Sequence, residues 1–179
     1  MRAVIVYESM FGATRQVAEA ISEGLGGSDV ARVLPVREVT PEVISSADLL
    51  VVGGPTHVHG MARPRSRRAA VEMAQKPEKH LRLEPGANEP GLREWFDEMP
   101  EVFLPASAAF DTRMSGPSFF TGRASHRIGR QLKKHGARLV ARPHSFLIAH
   151  DEPAPGQLEV ARRWGRALAT SIGSHQEAA

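Results

Sequence analysis

The sequence predicts a three-layer α/β domain, with a five-stranded parallel sheet and helices on both of its faces. Three observations carry this expectation. Short, continuous apolar runs open the chain and recur along it, as buried parallel strands do when both faces are covered. Stretches with helical apolar spacing alternate with those runs about five times. Parallel strands joined by right-handed helical crossovers follow from that alternation.

The first run, residues 3–7, reads Ala-Val-Ile-Val-Tyr. Residues 12–25 follow with Val17, Ala18, Ile21 and Leu25 on one face, and Gly26-Gly27 end the helix. Residues 31–36 give a weaker second strand and residues 41–46 at most a short helix. Residues 49–52 form a third strand, halted by Gly53, Gly54 and Pro55, and residues 67–74 a helix. From 76 to 105 the pattern turns irregular, rich in Pro, Gly and charge, with one amphipathic piece at 92–99 carrying Trp95 and Phe96. Strand material resumes after it, so this stretch reads as an insertion within one domain, which either covers its own core, the favoured reading, or meets a second copy of the chain.

Residues 106–110 are a short fourth strand and 121–135 an amphipathic helix with Ile128 and Leu132 inward. Residues 139–141 and 145–149 make a split fifth strand. The last helix spans 157–172, with Leu158, Val160, Ala161, Trp164 and Leu168 as its core stripe. One domain over 1–173 and a frayed tail over 174–179 complete the expected organisation. Two common strand orders suit such a sheet, and the alternation alone does not separate them.

Composition narrows the chemistry. The 179 residues suit a single core, and 41% of them are apolar. The chain has no cysteine. Disulfides, thiolate zinc sites, iron–sulfur clusters and a cysteine nucleophile are therefore all excluded, and redox chemistry requires a non-covalently held organic cofactor. The opening apolar run is too short for a signal peptide or a membrane helix, so a cytoplasmic protein is expected. The formal charge is +3 and the pI about 9.8. Two basic clusters stand out, Arg63, Arg65, Arg67 and Arg68, then Arg123, His126, Arg127, Arg130, Lys133 and Lys134. With no aromatic–basic platform beside them, they read as solvated helix faces and not as a nucleic-acid surface.

Strand one runs directly into Glu8-Ser9-Met10-Phe11-Gly12-Ala13-Thr14 and then a helix. Such a turn presents backbone N–H groups at a positive helix terminus, a natural phosphate seat. Ser9 and Thr14 add hydroxyls, and Gly12 permits close backbone approach. The bland alternative is a plain helix start with Ser9 as N-cap. The loop has neither the Gly-x-Gly-x-x-Gly of dinucleotide binders nor the Gly-Lys-Ser/Thr of nucleotide hydrolases, so a monophosphate suits it better.

Tyr7-Glu8-Ser9-Met10-Phe11-Gly12-Ala13-Thr14 resembles the phosphate loop of the flavodoxin family. Phe11 replaces a common hydroxyl residue and Ala13 a common Asn, which brings the loop closer to flavodoxin-like quinone reductases. The resemblance implies the strand order 2-1-3-4-5 and flavin mononucleotide (FMN) where strands one and three meet their loops. It extends over nearly the whole chain: Gly53-Gly54-Pro55-Thr56-His57-Val58-His59-Gly60 is similar to the family's flavin-ring loop, and Asp111-Thr112-Arg113-Met114 falls at the second ring loop. Pro143 to Ile148 and Gly156 to Trp164 are similar to the last strand and helix.

By that resemblance the FMN contacts are Ser9, Met10, Phe11, Gly12, Ala13, Thr14, Pro55, Thr56, His57, Val58, His59, Gly60, Asp111, Thr112, Arg113 and Met114. No catalytic acid or base is assigned, because the ring does the chemistry. His57 and His59 spell a His-x-His pair, but no third ligand stands at a suitable spacing, so no metal is assigned. Arg113 and Met114 replace the aromatic and acidic surround of one-electron carriers, and a nearby cation favours an anionic reduced ring. Asp111 and Arg113 can equally be a local ion pair.

The expected function is transfer of electrons through bound FMN to a redox partner protein or a small-molecule acceptor. Two alternatives stay open: an NAD(P)H-dependent FMN quinone reductase, and a flavin-free interaction protein of the same fold. A phosphoacceptor signalling domain is excluded, since it needs an acidic pair after strand one and an aspartate ending strand three, where this chain has Tyr7-Glu8 and Gly53-Gly54.

Overall fold

The computed structural model describes residues 1–57, 60–99, 104–116 and 122–176, the last three of them as backbone only. The sheet is built from β1 (Ala3–Tyr7), β2 (Ala31–Pro35), β3 (Leu49–Pro55), β4 (Ala106–Met114), β5 (His144–Ala149) and β6 (Glu152–Pro153). Its order is β2-β1-β3-β4-β5-β6. The first five strands run parallel, with Ala3 opposite both Ala31 and Leu49, Leu49 opposite Ala106, and Phe110 opposite His144. The expected order 2-1-3-4-5 is therefore present, but the sheet has six strands, not five. The sixth is a two-residue antiparallel edge, Ile148 facing Pro153, which no periodicity in so short a piece announces.

The helices are α1 (Ala13–Leu25), α2 (Pro41–Ser45), α3 (Pro64–Ala74), α4 (Leu92–Asp97), α5 (Ala124–Lys134) and α6 (Gln157–Gln176). On one face, Val17, Ala18 and Ile21 of α1 and Ala161 and Leu168 of α6 bury against Ile5, Val51, Phe110 and Phe146. On the other, Ile128 and Leu132 of α5 and Leu92 and Phe96 of α4 bury against Val4, Val6, Leu50 and Val52. Each of the valine, leucine, isoleucine and phenylalanine side chains contributes roughly 1.5–3 kcal/mol through removal from water. Leu92, Phe96 and Leu104 of the insertion are thus packed into this core.

Three expected boundaries move. Strand β3 does not stop before Gly53 but runs through Gly53-Gly54 to Pro55, with Gly53 paired to β1 and β4 and Gly54 and Pro55 paired to β4. Gly53 is there for close packing and not for a turn, because a Cβ would lie 2.1 Å from the Phe110 ring. Strand β4 likewise continues past Phe110 to Met114, so Asp111 to Met114 are strand residues and not a loop. Helix α6 runs past Gly173 to Gln176 and takes up half of the expected tail.

Candidate functional site

In a doubly wound sheet, the crevice lies at the carboxyl ends of the strands where the chain path reverses, here between β1 and β3. Three segments meet there: the turn from β1 into α1, the hairpin after β3, and the end of β4.

The first turn is built on Gly12, whose φ of +100° lies in the region open to glycine. Ser9 folds back locally, its Oγ accepting the Gly12 N–H at 3.1 Å. The N–H of Gln16 then donates to the Gly12 carbonyl at 3.0 Å and starts the helix. Among the described residues, the amides of Phe11, Ala13 and Thr14 have no backbone or side-chain acceptor. No acidic side chain stands in the first turn of α1. These groups can hold a phosphoryl oxygen set, with the helix dipole reinforcing the charge. The turn therefore fits a phosphate ester.

The insertion reaches over this turn. The Glu84 N–H donates to the Met10 carbonyl at 2.9 Å, and both Glu84 oxygens accept from Arg15 Nε at 3.1 and 3.2 Å. Glu84 Oε1 stands 3.1 Å from where a Gly12 Cβ would be. A carboxylate and a guanidinium thus flank the anion seat together, the first opposing an incoming phosphate and the second attracting it.

The other segments are tied to the first through polar contacts. Thr14 Oγ1 and Thr112 Oγ1 lie 2.7 Å apart, and both side chains are buried. The Thr56 N–H donates to the Thr112 carbonyl at 2.8 Å. Thr56 Oγ1 accepts the Ala124 N–H at 2.9 Å, and Asp111 Oδ2 accepts the Ser125 N–H at 2.7 Å. These two side chains cap α5 from neighbouring strands, satisfying amides that the helix itself cannot. Asp111 is fully buried in that role and makes no ion pair with Arg113, whose Nη1 donates to the Gly116 carbonyl at 2.8 Å. Because Thr56 accepts from Ala124, its hydroxyl proton stays available to a ligand.

After β3, His57 and Gly60 pair with each other at 2.8 and 3.0 Å and close a tight hairpin. Burial, and then the charge of Arg67, hold the His57 imidazole below its ordinary pKa, so it is neutral near pH 7. Val58 and His59 lie outside the described residues, as do Pro117 to Thr121. Of the remaining expected contacts, Met10 is buried against Ala62, Ala70 and Ala87, and Ala13 is buried as well. Phe11 and Pro55 are half-buried, and the Met114 side chain is half exposed.

Sequence reasoning missed a buried charge cluster beneath the site. Arg67 is only 4% exposed. Its Nη2 meets Glu94 at 2.9 Å and its Nη1 lies 3.6 Å from Glu8, too far for a hydrogen bond but close for charges. Glu8 Oε2 also accepts the Leu92 N–H at 3.0 Å. Burial pushes the Glu8 carboxyl up, and the Leu92 amide and Arg67 only partly offset it. The available signal was Pro64, a favoured first helical residue that places α3 three residues earlier than the apolar pattern does.

The comparisons with known proteins agree with this architecture. The family model described as Flavodoxin matches residues 5–164. The chain belongs to the flavodoxin family. No curated protein matches it in sequence. Among solved structures, this flavodoxin-family chain is similar to oxidised Flavodoxin 1 from Bacillus cereus, at 17% identity and TM-score 0.66 over 98% of this chain and 99% of that one. It is also similar to a flavodoxin from the domain Archaea, at 20% identity and TM-score 0.64 over 97% and 99%. A WrbA-like flavodoxin from Agrobacterium tumefaciens gives 20% identity and TM-score 0.59 over 97% and 98%. At these identities the structural likeness establishes the fold.

Proposed function

We propose that this chain binds FMN at the carboxyl edge of β1, β3 and β4 and passes electrons through it to a partner protein or a small-molecule acceptor. The observation that carries the proposal is the Gly12 turn, with its unpaired Phe11, Ala13 and Thr14 amides at the start of α1. Bound FMN would supply one- and two-electron chemistry that no side chain of this cysteine-free sequence offers. The chain's own residues would bind and orient it. The turn would take the phosphate, and the Thr56 hydroxyl, whose oxygen accepts from Ala124, would keep its proton for a ligand oxygen. Membership of the flavodoxin family supports the same reading.

The test is a visible spectrum of the purified protein before and after addition of FMN, with riboflavin alongside. Saturable uptake of FMN, with riboflavin held far more weakly, supports the proposal; a colourless protein that takes up neither contradicts it. On the same sample, rapid bleaching by NADH or NADPH would assign a reductase, and inertness to both a carrier.

A further inference from the structure

Next to the proposed flavin loops, and sharing Phe11, His57 and Gly60 with them, the fold has a second, open cavity of about 630 Å³. Its walls come from the first turn, the β3 hairpin and helices α3, α4 and α5. Four arginines line it, Arg63, Arg65, Arg93 and Arg127, and no carboxylate does. Among the described residues none of the four has an acidic partner within salt-bridge distance, although elsewhere in the chain Arg15, Arg37, Arg67, Arg162 and Arg166 are all ion-paired.

Arg93 is half-buried, and its Nε and Nη2 lie out of contact with water and without an acceptor. The neutral His57 ring, also on the wall, has a buried Nε2 without a partner. Buried guanidinium donors without acceptors are unfavourable, and a native fold keeps them where something else satisfies them. Arg127 is seated deliberately. A Cβ on Gly60 would stand 2.9 Å from its Nε and 3.1 Å from its Cζ, so glycine lets the guanidinium lie against the hairpin backbone. Arg63 and Arg65 sit at the start of α3, where the helix dipole disfavours cations and where no acidic residue compensates.

The rest of the wall is apolar, with Phe11, Met61, Ala70 and Met73. A site of this size, apolar with a few convergent charges, suits a small organic ligand. We infer that the cavity binds an organic anion, a flat apolar body bearing a carboxylate, sulfonate or phosphate, whose charge meets Arg93 and Arg127 and whose body lies on Met61, Ala70 and Met73. Arginine's fixed fork of donors matches the paired oxygens of such groups. The inference stands on the cavity alone and does not require FMN at the Gly12 turn.

The experiment titrates the full chain with 8-anilinonaphthalene-1-sulfonate, and with N-phenyl-1-naphthylamine as the same ring body without the charge, in the absence and presence of saturating FMN. The expected result is one saturable sulfonate site that persists with FMN present. Replacing Arg93 and Arg127 together by Gln should weaken it at least about tenfold, with the neutral probe changed by no more than about twofold. Should that double variant not fold, judged by its thermal melt, Arg63→Gln with Arg65→Gln on the exposed rim replaces it, and each loss should weaken binding about threefold at low salt. Equal binding of sulfonate and neutral probe, sulfonate affinity indifferent to the arginines, or stoichiometric displacement by FMN would each overturn the inference. Failure of FMN to bind while the arginine-dependent sulfonate site remains would defeat the flavin proposal and leave this one standing.

Discussion

Thr14 and Thr112 join hydroxyl to hydroxyl at 2.7 Å across 98 residues of sequence. This bond fastens the carboxyl end of β4 to the first turn of α1, and so fixes the spacing between the anion seat and the strand that borders it. Both side chains are buried, so each hydroxyl depends on the other for a partner.

That dependence gives an asymmetric expectation. Thr112→Val should destabilise the protein by about 1–2 kcal/mol, because Thr14 is left with a buried, unpaired hydroxyl. Replacing both by Val should cost less than the sum of the two single changes. Urea unfolding of the four proteins closes the cycle, and additive losses would show that the bond carries no coupling.

At Gly12, where φ is +100°, Ala and Asp each impose backbone strain on the order of 1–3 kcal/mol, Asp the less of the two. Only Asp adds charge against the phosphate. Gly12→Asp should therefore weaken FMN at least about tenfold beyond Gly12→Ala, with similar melting temperatures. Equal FMN affinities in the two variants would remove the phosphate from this turn.

Glu84 stands close to the same seat and has Arg15 as its partner. Glu84→Gln removes the opposing charge and releases the guanidinium, so FMN should bind severalfold more tightly at low ionic strength, with the gain shrinking as salt rises. Isothermal titration at two salt concentrations checks this. Weaker binding in the variant would mean that Glu84 organises the seat and does not oppose its ligand.

Arg67→Met should destabilise the fold by about 3 kcal/mol at pH 7, because it leaves the buried Glu8 carboxyl without its cation. The sign of the pH effect follows from Glu8, whose carboxyl is raised by burial. A carboxyl raised in the folded state favours folding below its unfolded pKa, and that contribution fades as pH climbs through the raised value. In the variant, then, the deficit should shrink as pH is lowered from 7 to 5. Urea unfolding at both values measures it, and a deficit that grows on acidification would contradict the assignment.

Much of this fold was legible because buried strands and helix stripes leave periodic traces. The stripe Val17, Ala18, Ile21, Leu25 and the run Ala3–Tyr7 appear where the spacing puts them. The ends of β3 and β4 were not legible. Gly53-Gly54-Pro55 and Asp111-Thr112-Arg113 are turn-like in composition, but ladder pairing, Gly54 with Asp111 and Pro55 with Thr112, holds them in the sheet, and the Phe110 ring needs the space that Gly53 leaves. Arg67 lay in a basic run that reads as a solvated face. Its burial depends on Glu8 and Glu94, contacts that no local pattern reveals. The glycine turn from β1 into α1 was legible, whereas Glu84 reaches it from an insertion without periodicity.

The central claim concerns three amides, and amide proton shifts read them directly. A titration of ¹⁵N-labelled protein with FMN, followed by the same titration with riboflavin, separates phosphate from ring. The expected result is a downfield shift of the Phe11, Ala13 and Thr14 amide protons with FMN that riboflavin does not reproduce. Those three signals staying in place while FMN binds would contradict the account.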